Sequence, residues 1–316
     1  MDKNNIIFKI LKYYYIDNMT QSEISEKLNI TRVAVSRYIS KARKEGLIEF
    51  KIKYPSNFNI ERIENLETEF KKIFKLKECI IIPMQSTQKE TLKELSDQLA
   101  DLLSKIMKDN TFIGVGWGNT LDNLVNFMEV KDKRNIKVVP LVGGYGRIFD
   151  DTHSNDIARV LAEKFNGISY IVNIPALVDT KEIKEYIQRD RAAIEIFKMA
   201  KRVEVALLCM GDLSMESSLY KTGQLTKDDL EYLSNLGVIG DINYIFIDND
   251  GNFVPNEISE RIINIFPLEL MKKVKNVIGV AIGLRKAKIL HTVLKAGLIN
   301  IVLTDETAAR KILEFN

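Results

Sequence analysis

Residues 19–48 read MTQSEISEKLNITRVAVSRYISKARKEGLI, and their punctuation decides the fold of the first fifty residues. Thr20 can N-cap a helix, and Glu23, three positions on, completes a capping box. That helix runs from Gln21 to Leu28 and buries Ile24 and Leu28. Asn29 follows, a residue that tolerates the left-handed backbone of a sharp turn. Thr31 can cap a further helix from Arg32 to Glu45, which Gly46 terminates, with Ile30, Val35 and Ile39 on its buried side. Upstream, Ile6, Ile7, Ile10, Leu11 and Tyr14 recur at helical period over Asn5–Ile16, and Asp17-Asn18 ends that segment. Two helices meeting at a short turn, with a small residue (Ser25) at the contact, are the arithmetic of a helix-turn-helix.

Charge agrees with that geometry. The whole chain has 316 residues and a net charge of only +3. Residues 1–55 hold eleven Lys/Arg against six Asp/Glu, giving +5 and leaving −2 for the rest. The second helix carries Arg32, Arg37, Lys41, Arg43 and Lys44 and no acid before Glu45. A small bundle with a solvated basic face would share the charge. The agreement of caps, turn, core and charge favours DNA contact instead. The expected DNA-binding residues are Thr20, Gln21, Thr31, Arg32, Ser36, Arg37 and Lys41. The leading turns of a recognition helix meet base edges and phosphates in the major groove.

Leu47–Lys53 alternates like a strand or β-wing, and Pro55-Ser56-Asn57 reads as a linker. The expected domains are therefore 1–54 and 57–316. Asn59–Leu76 reads as a helix with Ile60, Ile63, Leu66, Phe70, Ile73 and Phe74 on one face, a stripe suited to core packing or to self-association.

Hydrophobic residues make up 46% and charged residues 28%, which excludes a disordered or collagen-like chain. Cys79 and Cys209 each abut an apolar run and read as buried thiols. No Cys/His cluster has metal spacing, no signal-peptide core is present, and no window approaches a membrane span. A cytoplasmic protein without metal or cofactor is expected.

Beyond Lys77, apolar runs alternate with helical stretches. The runs are Cys79–Ile82, Phe112–Val115, Lys137–Val139, Tyr170–Ile174, Val203–Leu208, Ile242–Ile247, Val277–Ala281 and Ile299–Leu303. Helical patterns cover Leu92–Met107, Asn155–Phe165, Lys184–Met199 and Lys286–Leu294. Such alternation predicts an α/β domain with a largely parallel sheet, whose ligands sit beyond the carboxyl ends of the strands. The sharpest signal there is FIGVGWGNTL, residues 112–121: a strand, a loop with Gly114, Gly116 and Gly118, then a helix. Glycines admit a ligand close to the backbone, the helix start adds free N–H groups, and Asn119 and Thr120 add hydrogen bonds, so the loop suits an anion. No Gly-Lys-Ser/Thr follows, so it is not a Walker loop. Further polar groups follow other strand ends: Gly143, Gly144, His153 and Asn155; Asp212; Asp241; Arg285 and Lys286. A carboxylate, a cation and an anion loop would suit a phosphorylated polyol. Asp212 also suits a helix cap, and Arg285 could simply coat a helix.

The helix-turn-helix stretch, IGVGWGNTL, PLVGG, VIGDINYIFIDNDGNFV and VIGVAIGLRKAKILHTVLKAGLINIVLTDETAAR occur in one order along nearly the whole chain. In this combination the sequence resembles the SorC family of bacterial transcriptional regulators, which includes the deoxyribonucleoside and central-glycolysis regulators. The resemblance implies an N-terminal winged helix-turn-helix and a C-terminal α/β effector domain similar to ribose-5-phosphate isomerase and glucosamine-6-phosphate deaminase. It implies operator DNA and a sugar or sugar-phosphate effector as partners, and a homodimer or homotetramer. Gly116, Gly118, Asn119 and Thr120 would hold the effector's phosphate. Gly143, Gly144, His153 and Asn155 match a second ligand segment, Asp241 a carboxylate for sugar hydroxyls, and Lys286 a base near the polar end. Two positions depart from the family pattern. Val142 stands where some members carry a Lys or Arg able to contact or capture the effector, and Ile282-Gly283 replaces a paired glycine. The expected function is a regulator, such as a repressor, of carbohydrate metabolism. A sugar-phosphate isomerase or deaminase-like enzyme is the alternative, disfavoured because no catalytic pair is evident.

Overall fold

The computed structural model of the chain describes residues 3–48, 60–83, 85, 87–131, 134–144 and 154–315. The chain divides into two compact units, Met1–Phe58 and Asn59–Asn316. The β-wing expected over 47–53, after Ile48, and the linker at 55–57 lie outside the described residues.

In the first unit, helices α1 (Lys3–Tyr15), α2 (Gln21–Leu28) and α3 (Arg32–Lys44) surround a core of Ile10, Ile24, Val35 and Ile39. The caps form as the residue types dictate. The Thr20 hydroxyl accepts from the Glu23 N–H, and the Glu23 carboxylate accepts from the Thr20 N–H at 2.7 Å. These bonds hold the Glu23 carboxyl below its ordinary value. Asn29 adopts φ 50°, and the Thr31 hydroxyl accepts from the Ala34 N–H at 3.2 Å. Ser25 sits at the turn, where its hydroxyl donates to the Ile30 carbonyl at 2.6 Å. A larger side chain there would push α2 and the turn apart.

The second unit begins with α4 (Ile60–Phe74), β1 (Glu78–Ile82), α5 (Gln88–Ile106), β2 (Phe112–Val115), α6 (Asn119–Phe127) and β3 (Lys137–Pro140). It continues with α7 (Ser154–Lys164), β4 (Ile168–Ser169), α8 (Lys181–Arg189), α9 (Arg191–Ala200), β5 (Val205–Asp212), α10 (Ser218–Lys221) and α11 (Lys227–Asn235). Then come β6 (Gly240–Ile242), β7 (Ile245–Ile247), α12 (Glu257–Arg261), α13 (Leu268–Met271) and β8 (Asn276–Val280). A 3₁₀ turn (Leu284–Lys286), α14 (Ala287–Lys295), β9 (Ile301–Asp305) and α15 (Glu306–Leu313) complete it.

The strands run in the order β1-β9-β8-β5-β2-β3-β4, all parallel. Both faces are covered, as a parallel sheet requires. Along β5, Val205 and Leu207 point into one core with α5, α6 and α7. Ala206 and Leu208 point into the other, with α4, α14 and α15. The alternation is the two-residue period of the strand. The side on which strands are added switches between β2 and β5: β3 and β4 build outward on one side, β8 and β9 on the other. The hairpin β6–β7 extends the sheet antiparallel to the end of β5, setting Asp241 opposite Gly211.

The α4 stripe is core: Ile63, Leu66, Phe70 and Phe74 are buried against the sheet, while Ile73 is 40% exposed. Three expected elements differ. The strand expected at Tyr170–Ile174 is only Ile168–Ser169, because the Asn155 side chain takes over the pairing at Val172. It donates to the Val172 carbonyl at 3.1 Å and accepts from the Val172 N–H at 2.9 Å. The single run Ile242–Ile247 is a hairpin, reversed by Asn243 and Tyr244 at φ 55° and 65°. The single helix expected over Lys184–Met199 is two, because Asp190 leaves helical geometry at ψ 140° and caps α9.

Candidate functional site

A cleft of about 1080 Å³ opens beyond the carboxyl ends of β2, β5, β8 and β9. It therefore lies at the topological switch point, where open α/β sheets bind ligands. Adjacent crossovers diverge there and leave the strand ends uncovered. Of the sequence-predicted effector residues, Gly118, Asn119, Thr120, Asp241 and Lys286 line it.

Gly118 must be glycine: its φ is 109°, and it precedes α6 without a side chain that could cap the helix. The start of α6 thus brings Asn119 and Thr120 to the cleft with the positive end of a helix dipole. The other two glycines of the loop serve the fold. A Cβ on Gly114 would lie 2.6 Å from Leu141, so this glycine lets β2 pack. Gly116 is buried, and its N–H donates to the Leu207 carbonyl at 2.9 Å, so that donor is taken.

Opposite this loop, Lys286 donates from Nζ to the Thr120 hydroxyl at 3.3 Å, tying the β8 end to the β2 end. Asp241 is 5% exposed, and its Oδ2 accepts from the Tyr244 N–H at 3.0 Å. Burial pushes its carboxyl up to about 7, against the pull of that N–H and of Lys286; Asp212 pushes in the same direction as burial. Gly211 lies beneath it, where a Cβ would come within 2.4 Å of the Asp241 carboxylate and displace it.

Two further residues belong to this group. Arg285 Nε lies 3.1 Å from Asp212 Oδ2. The other oxygen of Asp212 is buried and has no hydrogen-bond partner, an acceptor that a ligand could satisfy. The sequence pattern left this pair unassigned because the residues sit at the ends of different strands. Asp305, at the β9 end, accepts from the Gly283 and Ala308 N–H groups and so holds the β8 loop to α15. Cys209 lines the cleft with its thiol donating to the Trp117 carbonyl at 3.0 Å, and burial pushes its pKa up, which makes it a poor nucleophile.

Gly143, Gly144 and Asn155 do not line the cleft among the described residues. A Cβ on Gly143 would lie 2.4 Å from the Ile174 carbonyl, and Gly144 is wedged between Asn155 and Val172. Asn155 is committed to the Val172 backbone, so these three shape the wall behind β3. His153 lies outside the described residues. Val142 is buried and bridges Asn264, a packing role.

On the first unit, Thr20, Thr31, Arg32, Ser36, Arg37 and Lys41 are exposed and Gln21 is half-buried. The Thr20 hydroxyl accepts from the Glu23 N–H and donates to the Glu23 carboxylate at 2.8 Å, and the Thr31 hydroxyl accepts from the Ala34 N–H. Lys41 forms an exposed pair with Glu45 at 3.4 Å. The leading turns of α3 present Arg32, Ser36 and Arg37 together, whereas Gln21 opens α2.

Among the described residues, no helix is long and apolar enough to cross a membrane, and no group of three or more His, Cys, Asp or Glu could hold a metal. The family model "Putative sugar-binding domain" matches residues 59–314, and "Sigma-70, region 4" matches residues 8–45. The deoxyribonucleoside regulator of Bacillus subtilis is 26% identical, the match covering 99% of this chain and 98% of the relative. The crystal structure of the full-length sorbitol operon regulator SorC from Klebsiella pneumoniae superposes with TM-score 0.74 at 26% identity over 99% of each chain. A transcriptional regulator from Streptococcus pneumoniae matches at TM-score 0.74 and 29% identity, covering 81% of this chain and 98% of that one. With a sugar-binding unit behind a helix-turn-helix, and whole-length likeness to regulators of both kinds, the chain belongs to the SorC family of transcriptional regulators.

Proposed function

We propose that the chain regulates carbohydrate genes by binding operator DNA through α3 and that a sugar or sugar phosphate in the cleft controls this binding. The observation that carries the reading is the division of the cleft into two chemistries. The α6 start and Lys286 suit an anion, and the neighbouring carboxylates of Asp241 and Asp212 suit hydroxyls. Gly118, Asn119, Thr120 and Lys286 hold the anionic end. Asp241 and Asp212 receive hydroxyl hydrogens, with Arg285 fixing Asp212.

Effector closes over strand ends that belong to four separate chain segments, so it favours the conformers in which those ends are drawn together. Only a difference in affinity between conformers can alter operator binding. The protein acts as a homodimer or homotetramer in the cytoplasm, with paired recognition helices reading paired half-sites. It acts without turnover of the effector.

Mobility shift of DNA from upstream of its own gene, with and without a panel of sugars and sugar phosphates, tests this. Retardation that one compound relieves or strengthens is expected. No retardation at low salt, or retardation that no compound alters, overturns the corresponding half of the reading. Conversion of ribose 5-phosphate or glucosamine 6-phosphate by the full chain would overturn the absence of turnover.

A further inference from the structure

Val33 is 78% exposed, more than any other large apolar residue described in the chain. It occupies the second position of α3, between Arg32 and Ala34, in the turn that Thr31 caps. The fold does not use it. The buried stripe of α3 is Val35, Ile39 and Ala42. Valine is also a poorer helix former than alanine at a solvated position, since its branched side chain loses rotamer freedom.

Helical spacing places Val33, Ser36, Arg37 and Ser40 on one exposed stripe, at i, i+3, i+4 and i+7. Phe8, Ile16 and Leu47 are exposed as well, but they lie on α1, just beyond it, and beyond α3. Val33 is thus a lone apolar group amid Arg32, Ser36 and Arg37, on a helix whose other charges are Lys41, Arg43 and Lys44. That charge is complementary to a nucleic-acid backbone, and a backbone held by cations brings the base edges to the same helix face. The major groove displays one apolar feature there, the 5-methyl group of thymine.

We infer that Val33 is a specificity-determining residue that packs against a thymine methyl group in each half of the operator. The inference rests on the DNA-binding reading of α3. Ser36, Arg37 and Ser40 on the stripe supply hydrogen bonds to phosphates and bases. Val33 supplies a contact that cytosine lacks, since cytosine has no 5-methyl group and offers an amino donor in place of the carbonyl.

The test uses the full chain. Its site is selected from randomised duplexes about three helical turns long. The selected duplex is then remade with each thymine replaced in turn by deoxyuridine, which removes only the methyl group. Binding is read by fluorescence anisotropy for the native chain and for Val33→Ala. Circular dichroism checks that the surface variant is folded. The native chain should weaken about fourfold at one thymine per half-site, the effect of one buried methyl group. Val33→Ala should bind the unmodified duplex weaker by a similar factor and respond to that deoxyuridine by less than about twofold. Its binding to duplexes without the site should match the native chain. Equal sensitivity of both proteins to deoxyuridine, or sensitivity of neither, overturns the assignment of Val33 while leaving operator binding intact. A change of oligomeric state in Val33→Ala with the methyl effect retained overturns it too, and places Val33 between copies. A pool from which no sequence emerges overturns the operator reading and this inference together.

Discussion

The α3 face and the cleft suit anionic partners, and they are built in opposite ways. On α3, Arg32, Arg37 and Lys41 stand exposed at the surface of a helix that lacks any acid before Glu45. In the cleft, the cations are matched by carboxylates: Arg285 faces Asp212, and Lys286 lowers the pKa of Asp241. The unit that holds the cleft is slightly acidic, so on the proposed function an anion would have to be held by fixed local groups, above all the α6 start. On the proposed function the exposed face would gain attraction from many screened charges. The cleft would instead gain selectivity from few groups that are already aligned. The surface charges are replaceable one by one, whereas the cleft depends on geometry shared among strand ends.

The largest effect that would break this contrast is that of salt. If six or more phosphates are contacted by a pair of recognition helices, operator affinity should fall about 10³-fold or more between about 50 and 200 mM salt. Effector affinity, measured by calorimetry over the same range, should change by less than about tenfold, since a single anionic group is held locally. Equal slopes would erase the distinction.

The next effect concerns Asp241. Its carboxyl titrates at about 7 in the folded chain, against 3.8 for the ordinary group. Below about pH 4 it is protonated in both states and contributes no difference. Between about 4 and 7 the unfolded chain releases a proton that the folded chain retains, so stability falls as pH rises. The total loss is up to ~4 kcal/mol, reached above pH 7. Asp241→Asn should therefore unfold at a higher temperature than the native chain above pH 7 and lose this advantage toward pH 4. The same variant should bind a polyol effector more weakly, because an amide is a poorer acceptor for hydroxyls.

Single cations come third. Lys286→Ala should weaken sugar-phosphate binding about tenfold or more, through loss of a charged hydrogen bond, while operator affinity without effector stays the same. Arg37→Ala should do the reverse, costing about 1–3 kcal/mol in operator binding if it reads a base, with effector affinity unchanged. Cross-effects of similar size would show that the two regions are not separable.

The smallest effect is that of a cap. Thr20→Ala removes the box with Glu23 and should destabilise the first unit by about 0.5–2 kcal/mol, read as a lower denaturation midpoint. Thermal stability of the second unit should not change.

The first unit was legible because its signals are local. Thr20 with Glu23, Asn29 and Thr31 each act on backbone within a few residues: the threonines and Glu23 form cap bonds, and Asn29 takes the left-handed conformation. The same holds for β2 and for the start of α6 at Gly118. Legibility failed where a distant group took over. Asn155 replaced a strand partner at Val172, which shortened β4. The Asn243–Tyr244 turn carries no glycine, and Asn243 was the single turn residue marking its reversal within the apolar run. Gly114 and Gly116 were plausible ligand contacts until Leu141 and the Leu207 carbonyl appeared against them.

The amino-acid sequence by itself determined the helix-turn-helix, the alternation that makes a parallel sheet, and the chemical types available at the strand ends. Those follow from propensity, capping and side-chain period, which act over one or two turns of chain. Only the tertiary structure decided which strand ends adjoin. The crossing order put β2 beside β5 and β5 beside β8, and so brought Thr120 to Lys286, Asp212 to Arg285 and Asp241 into a buried setting where its proton is held. Those encounters join segments far apart along the chain, and no local preference specifies them; the packing of two cores on one sheet does.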